Sequence, residues 1–271
     1  MDFRENEEAR ALAARLDDLC ARADSGELGV TVFMSPRELA FTKKYLAAKG
    51  AAVCFFGGYP QAERQRAYIL PDYMSELSEC DGDTDIEERL SQFGYSSSVF
   101  ALRICGSGYR RLSHRDFLGS LLGLGIERSV LGDILLLGDG DREALLFCDS
   151  NISEFIEKEL CYVANDKVKV RGAELEDIQI PPRRTQPISD TVASPRLDAV
   201  VAALCNLSRD KARVAVVSGL VEIDFESEVR PDRLLSGGAT VSVRGFGRYR
   251  VISVSDKTKK GRYRLVAEKY V

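Results

Sequence analysis

The apolar positions of this chain recur at two periods, and the switches between those periods predict its elements. From Glu7 to Arg22, Leu12, Leu16 and Leu19 share one helical face, and Asp24-Ser25-Gly26 ends the helix. Thr31–Met34 reads as a short strand or as the entry to a second helix. Ser35-Pro36-Arg37-Glu38 combines an N-cap, a first-turn proline and a glutamate three residues on. That capping box opens a helix to about Lys49, with Gly50 beyond it. Ala51–Phe56 and Ala67–Leu70 are continuous apolar runs of strand length. Between them, Gly57-Gly58-Tyr59-Pro60 suits a tight connection, because glycine accepts positive φ and proline fixes the exit. The competing reading is a surface loop that presents Tyr59, Glu63 and Arg64 to RNA or a partner. Asp72–Thr84 is polar and acidic and is expected to be a linker.

Ile86, Leu90 and Phe93 mark a lead-in helix. The pattern then runs Ser98–Ile104 strand, Ser113–Leu124 helix, Ile134–Leu137 strand, Ala144–Cys148 strand, Ile152–Cys161 helix and Lys167–Val170 strand. Gly138-Asp139-Gly140-Asp141 supplies a hairpin turn between two of the strands. The order β-α-β-β-α-β is that of the ferredoxin-like fold, shared by RNA-recognition modules. Those modules carry an aromatic, basic strand that this chain lacks; its third strand reads Ala144-Leu-Leu-Phe-Cys148. The sheet itself is therefore the weaker candidate for RNA.

Toward the C-terminus the elements shorten. Pro195 sits where a first helical turn accepts proline, and Leu197, Val200, Val201 and Leu204 form one stripe ending at Asn206. Ser208 caps a second helix with Asp210 in its first turn, Ala212, Ala215 and Val216 inside, and Gly219 as the stop. Arg209 and Arg213, four apart, share its outer face. A helix start flanked by Arg209 and Lys211 favours anions, because free amides and the helix dipole add to the side-chain charge. Val221 and Ile223 begin a strand, and Gly237-Gly238 turns the chain into Thr240–Arg244.

Charge changes the picture. From Pro181 to the end there are 17 Lys and Arg against 10 Asp and Glu, whereas the whole chain carries −4. The last third is thus basic and the rest acidic, an asymmetry that points to a nucleic-acid-binding end. No apolar run reaches membrane-spanning length, and the acidic start is unlike a signal peptide. The seven cysteines are scattered and never spaced as Cys-x-x-Cys, which argues against zinc and a disulfide framework and for a reducing cytoplasm. No metal or cofactor is expected.

The enzyme readings fail on their residues. His114-Arg115-Asp116 lacks the rest of a kinase signature, and Gly123-Leu124-Gly125 and Gly106-Ser107-Gly108 lack the third glycine of a dinucleotide loop. Ser113, His114 and Asp116 crowd one helical turn, where capping accounts for them. No catalytic residue is assigned.

Two resemblances add to this reading. Arg196-Leu197-Asp198, Ser208-Arg209-x-Lys211-Ala212, Gly219-x-Val221 and Val243-Arg244-Gly245-x-Gly247-Arg248 resemble the S4 RNA-binding domain. The departures are Asp224-Phe225 and Gly238-Ala239, where that family has Asn-Gly and Gly-Asp. The resemblance implies a helix pair gripping RNA phosphates through Arg196, Ser208, Arg209 and Lys211. Arg213, Arg244 and Arg248 extend that candidate surface, and Tyr59, Arg64, Arg183, Arg184, Lys259 and Lys260 are secondary candidates. Phe56-Gly-Gly-Tyr-Pro-x-Ala-Glu-Arg64, His114-Arg-Asp-Phe-Leu-Gly-x-Leu-Leu-Gly-Leu-Gly-Ile-x-Arg128 and Gly132-Asp133-Ile134 resemble the bacterial YlmH family. This second resemblance implies a non-catalytic RNA-binding protein associated with the large ribosomal subunit and with rescue of stalled translation; structured rRNA is the expected RNA, with tRNA a further candidate.

The expected fold class is α+β in three parts. Residues 1–80 form an N-terminal α/β module, residues 81–175 an RRM-like (ferredoxin-like) module, residues 176–190 a linker, and residues 191–271 an S4 RNA-binding domain. Pro181-Pro182-Arg183-Arg184 has the composition of an extended basic tether. Two rival functions are an S4-tethered RNA-modifying enzyme of the pseudouridine-synthase kind, and an adaptor whose acidic N-terminal half binds a protein.

Overall fold

A computed structural model describes residues 7–79, 86–138, 142–173, 180–181, 183–257 and 261–270. The fold is α+β, with antiparallel sheets throughout. Two compact units divide the chain: Ala11–Pro181, and Pro182–Val271 counted together with the first ten residues.

In the first unit, helix α1 (Glu7–Asp24), from Ala11 on, and helix α2 (Pro36–Lys49) lie beside strands β1 (Gly29–Val30), β2 (Val53–Phe56) and β3 (Arg66–Ile69), ordered β1-β3-β2. The capping box forms as expected: the Ser35 amide donates to Glu38 at 2.7 Å, and the Ser35 hydroxyl accepts from the Glu38 amide at 3.4 Å. A left-handed Gly50 (φ +68°) stops α2. Strand alternation splits the buried residues into two sets. Phe55, Ala67 and Ile69 join Leu16 and Leu46 under the helices, while Cys54, Phe56 and Tyr68 face the other way. Covering on both faces explains why these strands read as continuous apolar runs.

After α3 (Ile86–Gln92) comes the β-α-β-β-α-β order: β4 (Val99–Cys105), α4 (His114–Gly123), β5 (Leu131–Leu137), β6 (Glu143–Asp149), α5 (Ser150–Glu159), a hairpin of β7 (Tyr162–Val163) and β8 (Asp166–Lys167), then β9 (Lys169–Gly172). The sheet order β5-β6-β4-β9 is the ferredoxin-like one. One face carries Leu102, Ile104, Leu146 and Cys148 against Phe117, Leu121 and Ile156 of the helices. The opposite face carries Val99, Ala101, Leu145 and Phe147, which share a core with Phe33, Phe56, Tyr59 and Tyr68. The two sheets therefore stack face to face between outer helices, and the parts expected as separate modules are one body. The expected acidic linker is also part of it: Asp72–Glu79 is a 3-10 helix that buries Met74 and Leu77 in that core, while residues 80–85 lie outside the described residues. The expected turn at 139–141 lies outside them as well, although its flanking strands pair at Leu137 and Glu143.

The second unit is a six-stranded sheet packed by two short helices. Its strands are β10 (Thr185–Val192), β11 (Val221–Ile223), β12 (Glu226–Ser227), β13 (Thr240–Val243), β14 (Gly247–Lys257) and β15 (Tyr263–Tyr270), ordered β10-β15-β14-β13-β11-β12. Helices α6 (Leu197–Leu204) and α7 (Arg209–Val217) bury Leu197, Val200, Val201, Ala212 and Val216 against Val221, Val241, Tyr249 and Val251. The expected tether is instead partly strand. Thr185–Val192 pairs residue for residue with β15, and Pro187 is tolerated because β10 is an edge. Pro195 also lies outside the first helical turn, two positions before Leu197, since Arg196 is the N-cap of α6.

Candidate nucleic-acid interface

The start of α6 and the start of α7 meet at one carboxylate. Asp198 is in the first turn of α6 and nearly inaccessible, at 3% exposure. Arg196 donates to it from Nε and Nη2 at 3.2 and 3.3 Å, and Arg209 does so at 3.3 and 3.4 Å. Burial pushes the Asp198 carboxyl up, but the hydrogen bonds and charges of the two arginines outweigh it and hold the group below the usual carboxylate range. Both arginines are thus bound to an acid of their own chain. Two donors of each guanidinium are engaged, which leaves three on each for another acceptor. Their side chains remain 39% and 53% exposed.

The same device recurs close by. Residues 231–235 run back along the entry to α6: the Leu197 amide donates to the Arg233 carbonyl at 2.8 Å, and the Asp198 amide to the Pro231 carbonyl at 3.0 Å. Glu228, 5% exposed, accepts from Arg230 at 3.1 Å and from Arg233 at 2.6 Å. Burial opposes ionisation here too, yet the Arg230 and Arg233 bonds bring its carboxyl down to about 2. Four arginines are therefore seated on two buried carboxylates. The sequence reading passed over Glu228, Arg230 and Arg233, and its available signal was Glu-x-Arg-x-x-Arg directly before an apolar pair.

Other expected residues divide. The Ser208 hydroxyl caps α7 through the Lys211 amide at 3.3 Å. Lys211 and Arg213 stand exposed along α7, and Arg244 is exposed after β13 with its amide bonded to Leu220 beyond the end of that helix. Arg248 is not brought to this surface. Tyr249 and Val251 fill the core under the helices, so alternation places Arg248 on the opposite face of the sheet, 5.1 Å over the Phe225 ring. Asp224 and Phe225 both take positive φ (49° and 68°), so the hairpin keeps the left-handed turn that Asn-Gly would favour. Arg183 lies over the Tyr270 ring at 5.9 Å and Arg184 is exposed, whereas Lys259 and Lys260 fall outside the described residues.

Tyr59 and Arg64 are corrected more sharply, for both are buried. Tyr59 donates to Asp133 at 2.7 Å, and Asp133 also accepts the Glu63 and Arg64 amides at 2.7 and 3.1 Å. The Arg64 guanidinium donates to the Leu131, Phe33 and Arg128 carbonyls at 2.8–3.0 Å. Gly58, at φ +99°, leaves no room for a side chain beside Phe147, whose ring a Cβ would meet at 2.2 Å. The motif thus closes the seam between the two sheets. His114 stands at its edge, and partial burial, then the Arg128 charge, keep its imidazole below the ordinary value and so neutral at pH 7. Ser113 and Asp116 form a capping box with bonds of 2.7 to 3.4 Å, as the capping reading expects.

An α+β protein with a sealed two-sheet body and an arginine-bearing terminal unit fits a binding protein. The comparisons name the family. Residues 7–74 match the model described as "YlmH, N-terminal", and residues 94–177 match the one described as "Putative RNA-binding domain in YlmH". The chain belongs to the YlmH family. The ribosome-associated protein quality control protein P2 of Bacillus subtilis (strain 168) is 29% identical over 240 residues, spanning 89% of this chain and 86% of the relative. A solved structure, cell division protein ylmH from Streptococcus pneumoniae, aligns over 64% of this chain and 96% of its own at 20% identity, with a TM-score of 0.49. Among the described residues, no helix is long and apolar enough to cross a membrane.

Proposed function

We propose that this chain is a non-catalytic RNA-binding protein that docks on structured rRNA or tRNA at the large ribosomal subunit, in quality control of stalled translation. Its C-terminal unit acts as an S4-type domain. The observation that carries the reading is the Asp198 clamp, which holds Arg196 and Arg209 side by side with donors left over for phosphate. Lys211 and Arg213 continue the charge along α7, and Arg230 and Arg233 flank it. The family model over residues 94–177 and the ribosome-associated name of the Bacillus relative support the same direction. Arg248 contributes from a different face.

Phosphate contacts of this kind release counterions, so affinity should fall steeply with salt. The test is a gel shift with ribosomal RNA together with pelleting on 50S subunits. The double change Lys211→Glu/Arg213→Glu, which leaves the Asp198 clamp in place, is expected to weaken binding about ten-fold or more while the far-UV CD spectrum is unchanged. Equal affinity of variant and parent would overturn the assignment of this surface.

A further inference from the structure

The ferredoxin-like sheet cannot offer the RNA platform that recognition modules use. In those modules aromatic residues of the central strands stack on bases. Here that face, Val99 and Ala101 of β4 with Leu145 and Phe147 of β6, is buried in the core shared with the N-terminal sheet. An RNA-binding role for residues 94–177 has to use another surface. Helix α5 is a poor one, since its exposed positions include Glu154, Glu157 and Glu159.

The loop from β4 to α4 is different. Gly106-Ser-Gly-Tyr-Arg-Arg-Leu-Ser-His-Arg115 holds three arginines and no acid. Its base is pinned: the Gly106 amide donates to the Arg142 carbonyl at 2.8 Å, the Ser107 amide donates to buried Asp166 at 3.0 Å, and the Ser107 hydroxyl donates to the same carboxylate. A Cβ at Gly106 would meet Asp166 at 2.7 Å and the Arg142 carbonyl at 2.8 Å, so the loop roots only where glycine stands. Its exit is pinned by buried Leu112 and the Ser113 cap. Between these anchors Tyr109 is 96% exposed, the most exposed aromatic ring among the described residues. Arg110 and Arg111 follow it in the chain and Arg115 lies in the first turn of α4; all three are exposed, with no ion pair among the described residues. Arg142 and Lys167, exposed next to the anchoring residues, add to the charge. Asp116, the acid closest in sequence, is engaged in the helix cap by Ser113, with the Arg110 charge acting on it as the smallest influence.

We infer that this loop is a second RNA contact, in which Tyr109 stacks on an unpaired base and Arg110, Arg111 and Arg115 hold the adjoining phosphates. A rigid root and a bare aromatic tip suit a single-stranded segment, because stacking on one ring tolerates any base and duplex RNA presents none. The inference rests on the RNA-binding reading above and adds the site by which the middle of the chain takes part.

The test uses the full-length chain and a single-stranded oligoribonucleotide carrying 4-thiouridine, crosslinked by light and mapped by mass spectrometry. An adduct within residues 106–115 is expected. Tyr109→Ala and the double change Arg110→Glu/Arg111→Glu should each weaken oligonucleotide binding about five-fold or more, while Tyr109→Phe, which keeps the ring, binds like the parent. Adducts confined to the C-terminal unit, with both variants at parental affinity, would overturn the loop as a contact and leave the RNA-binding reading standing. A parent chain that retains neither this oligonucleotide nor ribosomal RNA would remove both.

Discussion

Arginine is used in opposite ways in the two units. In the first, the cation is inside. Arg66 is 8% exposed, donates to the Thr31 and Ser98 carbonyls at 2.7 and 2.8 Å, and pairs with Asp149 at 2.8 Å. Arg64 does the same with three carbonyls. In the second, the acid is inside and the arginines ride on it, each with an edge in water. A buried guanidinium must have nearly all its donors met at home, so it stitches strands and has little to offer a partner. A buried carboxylate consumes only part of each guanidinium and sets its direction. Burial of the anion or of the cation thus separates stitching from display.

The largest effect should come from cutting a stitch. Arg66→Ala removes the ion-pair partner of Asp149, which keeps only its Asn151 bonds among the described residues, and empties contacts to both sheets; it should cost about 3–5 kcal/mol in urea denaturation. A loss under 1 kcal/mol would erase the contrast. Next is acid sensitivity of the display side. Glu228 titrates at about 2 in the folded chain against an ordinary 4.5. Its stabilisation is fully present above about pH 5 and is lost as the pH falls toward 2. After discounting for the exposed guanidiniums this is about 2 kcal/mol. Glu228→Gln should flatten that part of a pH–stability curve. Tyr59→Phe removes one hydrogen bond to buried Asp133 and should lower stability by about 1 kcal/mol. The smallest change is expected for Lys211→Ala: stability within about 0.5 kcal/mol of the parent, but a slope of log affinity against log salt shallower by about 0.7–0.9.

Local signals in the chain were readable where a residue serves its own neighbourhood. Ser35 with Glu38, Ser113 with Asp116 and Ser208 with Lys211 all close as the cap rules require. The β-α-β-β-α-β order followed from alternating periods in the same way. Arg64 was misread because its acceptors, the carbonyls of Phe33, Arg128 and Leu131, lie 31 to 67 residues away and carry no side-chain signature. Asp72–Glu79 looked like a linker because only Met74 and Leu77 mark its apolar side. Arg248 was grouped with the helix arginines by proximity in a motif, yet strand parity sends it to the other face. In the candidate site, residue types were legible and their shared acid was not, since Asp198 reads from sequence as an ordinary first-turn carboxylate.

The rim of the six-stranded sheet has a last consequence. One rim, β12, is two residues long, and the other, β10, is interrupted by Pro187, which has no amide hydrogen to give. A copy of the same sheet arriving from solution would meet a gap in the ladder at Pro187 on one rim and only two residues on the other. High local concentration of this chain is therefore expected to leave it dispersed rather than growing into fibres.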